Sequence, residues 1–254
     1  MGAFTATLTQ RIRVREPLLG TFVSLGSPTV TNLLAGAGYD YLLIDLEHGA
    51  GSEAVLQGQL FAAEAEGAAT MVRTETFDRI RIGRVLDLGA RALMLPRVDT
   101  AAQCAEAVAH LRYPPEGDRG VASSNRARGW STRTGSFTDA NREIAAVVQI
   151  ESEEAVRNVD AIAAVEGVDA LFVGPSDLSH SLGVPGELGA RVFTDALRRV
   201  LEAAAAHDLA AGILAATPDQ ARAFTDQGFT LIVLSADVNM LAAAARDAVA
   251  RARG

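Results

Sequence analysis

Four short apolar runs end in groups that can do acid–base or metal chemistry. Tyr41-Leu42-Leu43-Ile44 leads into Asp45-Leu46-Glu47-His48, and Met71-Val72 ends in Arg73. Val147-Val148 leads into Gln149-Ile150-Glu151, and Leu171-Phe172-Val173 into Gly174-Pro175-Ser176-Asp177. Carboxylates from neighbouring strands, Glu151 and Asp177, can meet on one hard divalent cation such as magnesium or manganese, leaving positions for water and substrate. Capping of the following helix is the competing role for each acid. An imidazole changes charge near neutral pH, which makes His48 a base; Asp45, three residues earlier, can orient the ring, with Glu47 as a supporting carboxylate. A cation at the end of an apolar strand is costly unless it faces an anion, so Arg73 should meet a substrate oxygen or an acid. Arg97 offers the same charge after the next run. Where a helix starts, the N–H groups of Ser176 and Asp177 can receive a carboxylate.

Not one lysine occurs in the 254 residues; all 23 basic side chains are arginine. A Schiff-base lysine is thereby excluded. Carbon–carbon bond chemistry would have to draw its electrophile from a metal or from arginine. Of the other histidines, His110 and His207 are expected late in helices and at the surface. His180 is expected in a loop after Asp177, as a second choice of base.

These groups need a scaffold that brings strand ends together. Apolar, β-branched runs predict strands over 20–25, 41–47, 69–74, 92–98, 145–151, 170–174, 210–214 and 230–234. Helical segments are expected over 30–37, 53–66, 79–88, 101–111, 153–164, 194–207, 218–227 and 238–253. Most strands are continuously apolar, as parallel strands buried on both faces are. Eight β/α units in a chain of this length predict a single-domain (β/α)8 TIM barrel over 1–254, whose strand C-termini converge on one mouth. A doubly wound sheet would more often carry a glycine-rich phosphate loop after its first strand, whereas this run ends Leu25-Gly26-Ser27-Pro28. No nucleotide cofactor is expected. Gly38, Gly89 and Gly167 read as left-handed caps between helix and strand. The stretch 112–137, with Pro114-Pro115-Glu116-Gly117, is the one long irregular segment and is expected near the mouth.

A net charge of −8 argues against nucleic acid or an anionic membrane as partner. The single cysteine, Cys104, allows no intrachain disulfide and suits a reducing compartment. Residues 1–10 lack the pattern of a signal peptide, and no apolar run approaches the roughly 20 residues of a membrane span. A cytoplasmic, soluble protein is expected.

At Leu43-Ile44-Asp45-Leu46-Glu47-His48-Gly49, Arg112-Tyr113-Pro114-Pro115 with Gly117 and Arg119-Gly120, Gln149-Ile150-Glu151 and Gly174-Pro175-Ser176-Asp177-Leu178-Ser179, the chain resembles the class II, metal-dependent pyruvate aldolases of the 4-hydroxy-2-oxoheptanedioate (HpcH/HpaI) aldolase family. The resemblance runs from Pro17 to the last helix. It implies that Glu151 and Asp177 hold magnesium, manganese or cobalt, and that the metal chelates pyruvate. It implies that Arg73 binds the keto oxygen and that His48, supported by Asp45, acts as base through a water. Gln149 would bond near the metal, the N–H groups of Ser176 and Asp177 would take the pyruvate carboxylate, and Phe22, Phe172 and Leu214 would surround the aldehyde. A hexamer with the C-terminal helix exchanged between partners is also implied. The chain departs from the family in carrying Ser176 for alanine and Thr74 for proline, and in a slightly shorter 121–137 segment.

The expected reaction is reversible aldol cleavage of a 4-hydroxy-2-oxo acid to pyruvate, or a close 2-oxo acid such as hydroxypyruvate, plus an aldehyde. The alternatives are a CoA-thioester carbon–carbon lyase of the citrate-lyase β-subunit type and a non-catalytic keto-acid-binding barrel. Racemisation or tautomerisation through the same enolate also stands open.

Overall fold

The computed structural model describes residues 6–132 and 134–254; Met1–Thr5 and Arg133, where parts of the leader and loop expectations fall, lie outside the described residues. Strands β1 (Leu18–Val23), β2 (Tyr41–Asp45), β3 (Ala69–Arg73), β4 (Ala92–Leu95), β5 (Ala145–Ile150), β6 (Ala170–Val173), β7 (Ala210–Ala215) and β8 (Leu231–Ala236) pair in parallel and close in sequence order into a barrel. A register shift between Gly20 and Phe22 accompanies closure of β1 on β8. Outside run α1 (Leu8–Arg13), α2 (Pro28–Ala35), α3 (Glu53–Ala65), α4 (Arg79–Asp87), α5 (Ala101–Leu111), α6 (Phe137–Asn141), α7 (Glu153–Arg157), α8 (Val159–Ala163), α9 (Pro175–Ser181), α10 (Arg191–Ala206), α11 (Pro218–Gln227) and α12 (Asp237–Arg253). This is the expected (β/α)8 TIM barrel.

The two-residue period of a strand divides the apolar side chains between two cores. Leu42, Ile44, Val72, Val148, Leu171 and Val173 point outward and pack under the helices. Tyr41, Leu43, Met71, Val147, Phe172 and Val233 point inward and fill the barrel. Leu8 and Ile12 of α1 join that inner cluster, and Arg13 pairs with Asp169 at 2.6 Å, so α1 closes the end where the strands begin. The inner core is tight. A Cβ on Gly20 would lie 2.5–2.7 Å from the Tyr41 ring, whose hydroxyl donates to the Ile232 carbonyl. Gly20→Ala should therefore cost about 1–3 kcal/mol by overpacking, read as a fall in melting temperature. An unchanged melting curve would mean the ring can move aside.

Several expectations need correction. Segment 153–164 is not one helix: α7 and α8 break at Asn158, whose side chain donates to the Asp99 carbonyl at 2.8 Å. Helices α1 and α6 were not expected, and α9, whose start was expected at Ser176 and Asp177, runs on to Ser181, so His180 sits in a helix and not in a loop. His110 is buried, its Nδ1 2.8 Å from Asp118, because the chain turns back over the end of α5. It is not a surface residue. Among the described residues, none of the 112–137 stretch lines the mouth cavity. Arg119 pairs with Asp87 at the end of α4, and Arg126 with Glu64 at the end of α3, which places the segment toward the opposite end of the barrel. The three cap glycines have φ of +96, +103 and +94, in the left-handed region as expected.

Cys104 is buried under α8, and burial pushes its thiol up to about 12. At pH 8 only on the order of one thiol in ten thousand would be ionised. A disulfide reagent should thus leave the native protein unlabelled for hours and titrate one thiol in guanidinium. Rapid native labelling would show the helix layer opening locally. Among the described residues, no helix is long and apolar enough to cross a membrane.

Candidate active site

Strand alternation that fills the inner core also stacks the polar groups above it. Along β2 the inward row is Tyr41, Leu43, Asp45; along β3 it ends Met71, Arg73; along β5 it ends Val147, Gln149. At the C-terminal ends these rows emerge into a cavity of about 380 Å³. Asp45, His48, Arg73, Gln149, Ser176 and Asp177 line its polar side, and Phe22, Phe172 and Leu214 its apolar side. Glu151 follows directly on β5 and Glu47 lies two residues past β2, each tied to this wall through a neighbour.

In the barrel register Asp45 and Arg73 are Cα partners. The guanidinium fork therefore meets the carboxylate bidentately: Nε donates to Oδ1 at 2.9 Å and Nη2 to Oδ2 at 2.8 Å. Both residues are buried. Arg73 Nη1 also lies 3.1 Å from Glu47 Oε2, and its guanidinium sits 4.8 Å from the centre of the Phe22 ring. Burial works against its charge, but the Asp45 bonds and the charges of Asp45, Glu47 and Glu151 outweigh it and raise the Arg73 pKa. Arg73 is a fixed cation in the wall of the cavity.

Asp45 was expected to orient the His48 imidazole. It bonds instead to the backbone N–H groups of Glu47 (3.1 Å) and His48 (3.3 Å), and to Arg73. Register sets this outcome, since the guanidinium lies directly beside the carboxylate and the imidazole one loop away. The carboxylate that approaches the ring is Glu47, with Oε2 at 3.9 Å from Nε2. His48 itself is exposed at the cavity rim. His180 turns back to the Ser176 carbonyl at 2.8 Å and does not line the cavity; Arg97 does not line it either.

Arg97 contributes its backbone. With φ of +55 it turns its N–H onto Glu151 Oε1 at 2.8 Å. The other Glu151 oxygen accepts from Gln149 Nε2, leaving Gln149 Oε1 buried without a partner among the described residues. Burial raises the Glu151 pKa, and the nearby charges of Glu47 and Asp177 raise it further against the pull of the Arg97 N–H and Arg73. Glu47 is likewise raised, by burial first and then by Asp45 and Asp177, while Arg73 and His48 draw it down. Asp177 stands exposed in the first turn of α9 and makes no cap there.

Crowded, partly buried carboxylates are relieved by a proton or a cation. A divalent metal fits this corner on three counts. The donors are all oxygens, the Gln149 acceptor has no partner, and Gly174 keeps the space open. A Cβ on Gly174 would stand 2.9 Å from Gln149 Nε2 and 3.3 Å from Glu151 Oε2. Among the described residues no three acidic, imidazole or thiol groups close on one ion. Asp237 escaped sequence reading. Buried at the start of α12, it accepts from the N–H groups of Ser24 (2.9 Å) and Leu25 (3.0 Å) and so fixes the Phe22–Ser24 wall. An acid in the first turn of the last helix was its only trace.

Residues 18–244 match the model of the family described as HpcH/HpaI aldolase/citrate lyase. The chain is 40% identical to a hydroxypyruvate/pyruvate aldolase of Paraburkholderia phytofirmans across 100% of both chains. It is 39% identical to a 5-keto-4-deoxy-D-glucarate aldolase of Klebsiella pneumoniae, over 89% of this chain and 88% of that one. A crystal structure of an HpcH/HpaI aldolase/citrate lyase family protein from Burkholderia cenocepacia is 40% identical. It superposes with a TM-score of 0.93, over 97% of this chain and 99% of that one.

Proposed function

The chain belongs to the HpcH/HpaI aldolase/citrate lyase family, and from that premise we infer how its barrel mouth works as an aldolase. It is a carbon–carbon lyase that cleaves a 4-hydroxy-2-oxo acid reversibly to pyruvate, or a close 2-oxo acid, and an aldehyde. The observation that carries the assignment of roles is the Arg73 guanidinium, clamped by Asp45 and facing the same small cavity as Gln149 and Asp177. The cavity's size favours a keto acid over a CoA thioester. Within one domain, 1–254, it also argues against a mere scaffold, which has no use for a buried ionised cluster.

Glu151 and Asp177 would hold a divalent cation, which when bound supplies Lewis acidity toward the keto and carboxylate oxygens of the substrate. His48 at the rim takes the proton of the C4 hydroxyl, directly or through a water, with Glu47 Oε2 3.9 Å from its Nε2. As the C3–C4 bond breaks, its electron pair becomes the pyruvate enolate and C4 becomes the aldehyde carbonyl. Arg73 stabilises the charge that gathers on the enolate oxygen, and its clamp to Asp45 removes any need to reorganise. Return of a proton to C3 completes pyruvate. Ser176 and Asp177 offer N–H groups to the substrate carboxylate, Gln149 steadies Glu151, and Phe22, Phe172 and Leu214 receive the aldehyde.

Helix α12 buries only Asp237 and leaves Val238, Leu241 and Val249 exposed. Beside β1 and β8 lies an apolar groove lined by Leu18, Leu19, Ala221, Ile232 and Leu234. A homo-oligomer in which α12 is exchanged would cover both, in line with the hexamer the resemblance implies. The lone buried thiol suits a cytoplasmic setting.

Proton–deuterium exchange at the pyruvate methyl group tests the central step without a choice of aldehyde. Exchange should appear when EDTA-stripped protein receives magnesium, manganese or cobalt. Folded protein that exchanges with none of them would refute enolate formation at this mouth.

A further inference from the structure

On its aldehyde side the mouth borders a second hollow, of about 180 Å³, between α9 and the start of α11. The two share Pro175, Ser176 and Leu214. Residues two apart on a strand share a face, so the row along β7 runs Gly212, Leu214, Ala216. Leu214 lines both hollows and Ala216 the second alone. Two residues of extended strand cover about 6–7 Å, which lets the second hollow take the tail of a four- or five-carbon aldehyde whose head stays in the mouth.

Local hydrogen bonds fix its walls. The buried Ser179 hydroxyl donates to the Ser176 carbonyl at 2.9 Å and accepts from the Gly186 N–H at 3.1 Å, which ties the loop after α9 back onto that helix. Opposite, Gln220 Oε1 accepts from the Ala216 N–H at 2.9 Å, leaving Nε2 an unpaired donor among the described residues. Gln220 is half-buried and His180 exposed, so both can be reached by a ligand. His180 Nδ1 lies 2.8 Å from the Ser176 carbonyl. A carbonyl only accepts, so Nδ1 carries the proton and Nε2 of the neutral ring offers a lone pair. The hollow therefore presents one fixed donor and one fixed acceptor, with the Ser176 hydroxyl beside them.

Among the described residues, no arginine, aspartate or glutamate lines this hollow. A carboxylate there would find no cation and would set its own lone pairs against that of His180. An alkyl chain would cover Gln220 and His180 without bonding either. A hydroxyl suits both, accepting from Gln220 Nε2 and donating to His180 Nε2. We propose that the hollow is the subsite for the far end of the aldehyde, and that it selects an uncharged, hydroxylated chain of four or five carbons. This rests on the aldolase reading above and adds to it the chemistry of the preferred aldehyde.

The full-length, metal-loaded protein is assayed at pH 8 for condensation of pyruvate with erythrose, butanal or 4-oxobutanoate, with methyl exchange of pyruvate measured alongside. Erythrose should exceed both others in kcat/KM by about tenfold or more. Gln220→Glu keeps an acceptor for the Ala216 N–H and a favoured residue for the Thr217 cap of α11, but loses the donor. His180→Asn keeps a donor for the Ser176 carbonyl and places nothing at Nε2. Each variant should lower kcat/KM for erythrose by about three- to tenfold, mainly through KM, the worth of one hydrogen bond. Butanal kinetics and methyl exchange should stay at the parental level, which a merely structural role would not allow. Should one variant fold poorly, the other and the parent's aldehyde preference still decide. With normal methyl exchange, the subsite is overturned if erythrose has no advantage in the parent, if a folded variant keeps parental erythrose kinetics, or if butanal slows equally. A folded parent that exchanges with no metal would refute the aldolase reading, and the subsite with it.

Discussion

Replacing Arg73 with alanine is expected to slow pyruvate methyl exchange by about 10²–10³-fold, the usual cost of losing one preorganised donor at a developing oxyanion. Metal affinity should fall far less, because Arg73 is not among the oxygens that would hold the ion. Stability should suffer too. Asp45 is buried and gives both oxygens to Arg73, so truncation strands its charge at a cost of about 3–5 kcal/mol. The two effects separate in Arg73→Lys. A lysine retains a cation near Asp45 and should recover much of the melting temperature, yet it lacks the planar fork and should remain slow. Exchange rates, calorimetric metal titration and melting curves on the same preparations decide the matter. Near-normal exchange in folded Arg73→Ala would remove Arg73 from the chemistry and leave it a structural partner of Asp45.

Glu151→Gln and Asp177→Asn should each lower affinity for magnesium or manganese by more than about 100-fold, beyond what loss of an outer hydrogen bond produces. Stability should move in the opposite sense. Burial first, then Glu47 and Asp177, raise the Glu151 pKa above its ordinary value. An acid whose folded pKa is raised opposes folding when ionised, and the opposition fades as pH falls through that raised pKa. At neutral pH the metal-free Glu151→Gln protein should therefore melt no lower than the metal-free parent. In the parent, metal affinity should weaken on acidification sooner than an ordinary glutamate would allow, because proton and cation compete for one carboxylate. Unchanged calorimetric affinity in both variants would move the metal elsewhere. A large loss of melting temperature in metal-free Glu151→Gln would recast Glu151 as a structural acid.

Much of this site is legible because a parallel strand is a ruler. Residues two apart share a face, and eight apolar runs, each followed by a helix and the first by no glycine-rich phosphate loop, pointed to the parallel barrel strands that the structure shows. Asp45, Arg73, Gln149 and Phe172 lie on inward rows, at positions counted from Leu43, Met71, Val147 and Ala170. Types and spacing were enough to bring them to one mouth. Expected strand ends ran up to three residues too far, as at 92–98 against Ala92–Leu95, because apolar residues such as Val98 continue past the last ladder bond into the buried rim.

Contacts across the barrel are another matter, since they depend on register and on loop paths that no local pattern encodes. Asp45 precedes His48 by three residues, which suggests a dyad along the chain. The β2–β3 register puts Arg73 at its side instead, and the guanidinium takes both oxygens. Gly20 looks like any strand glycine until the Tyr41 ring is seen to fill its missing Cβ. His110 looks like a surface residue of α5 until the 113–118 turn folds over it. The 112–137 segment was expected near the mouth, but its Arg119 and Arg126 find acids at the far ends of α4 and α3. Residue types and periodicity determined the barrel, its mouth and most of the polar groups there. Which groups pair, and on which face the longest loop comes to rest, was decided by long-range packing, because those energies exist only once distant strands stand side by side.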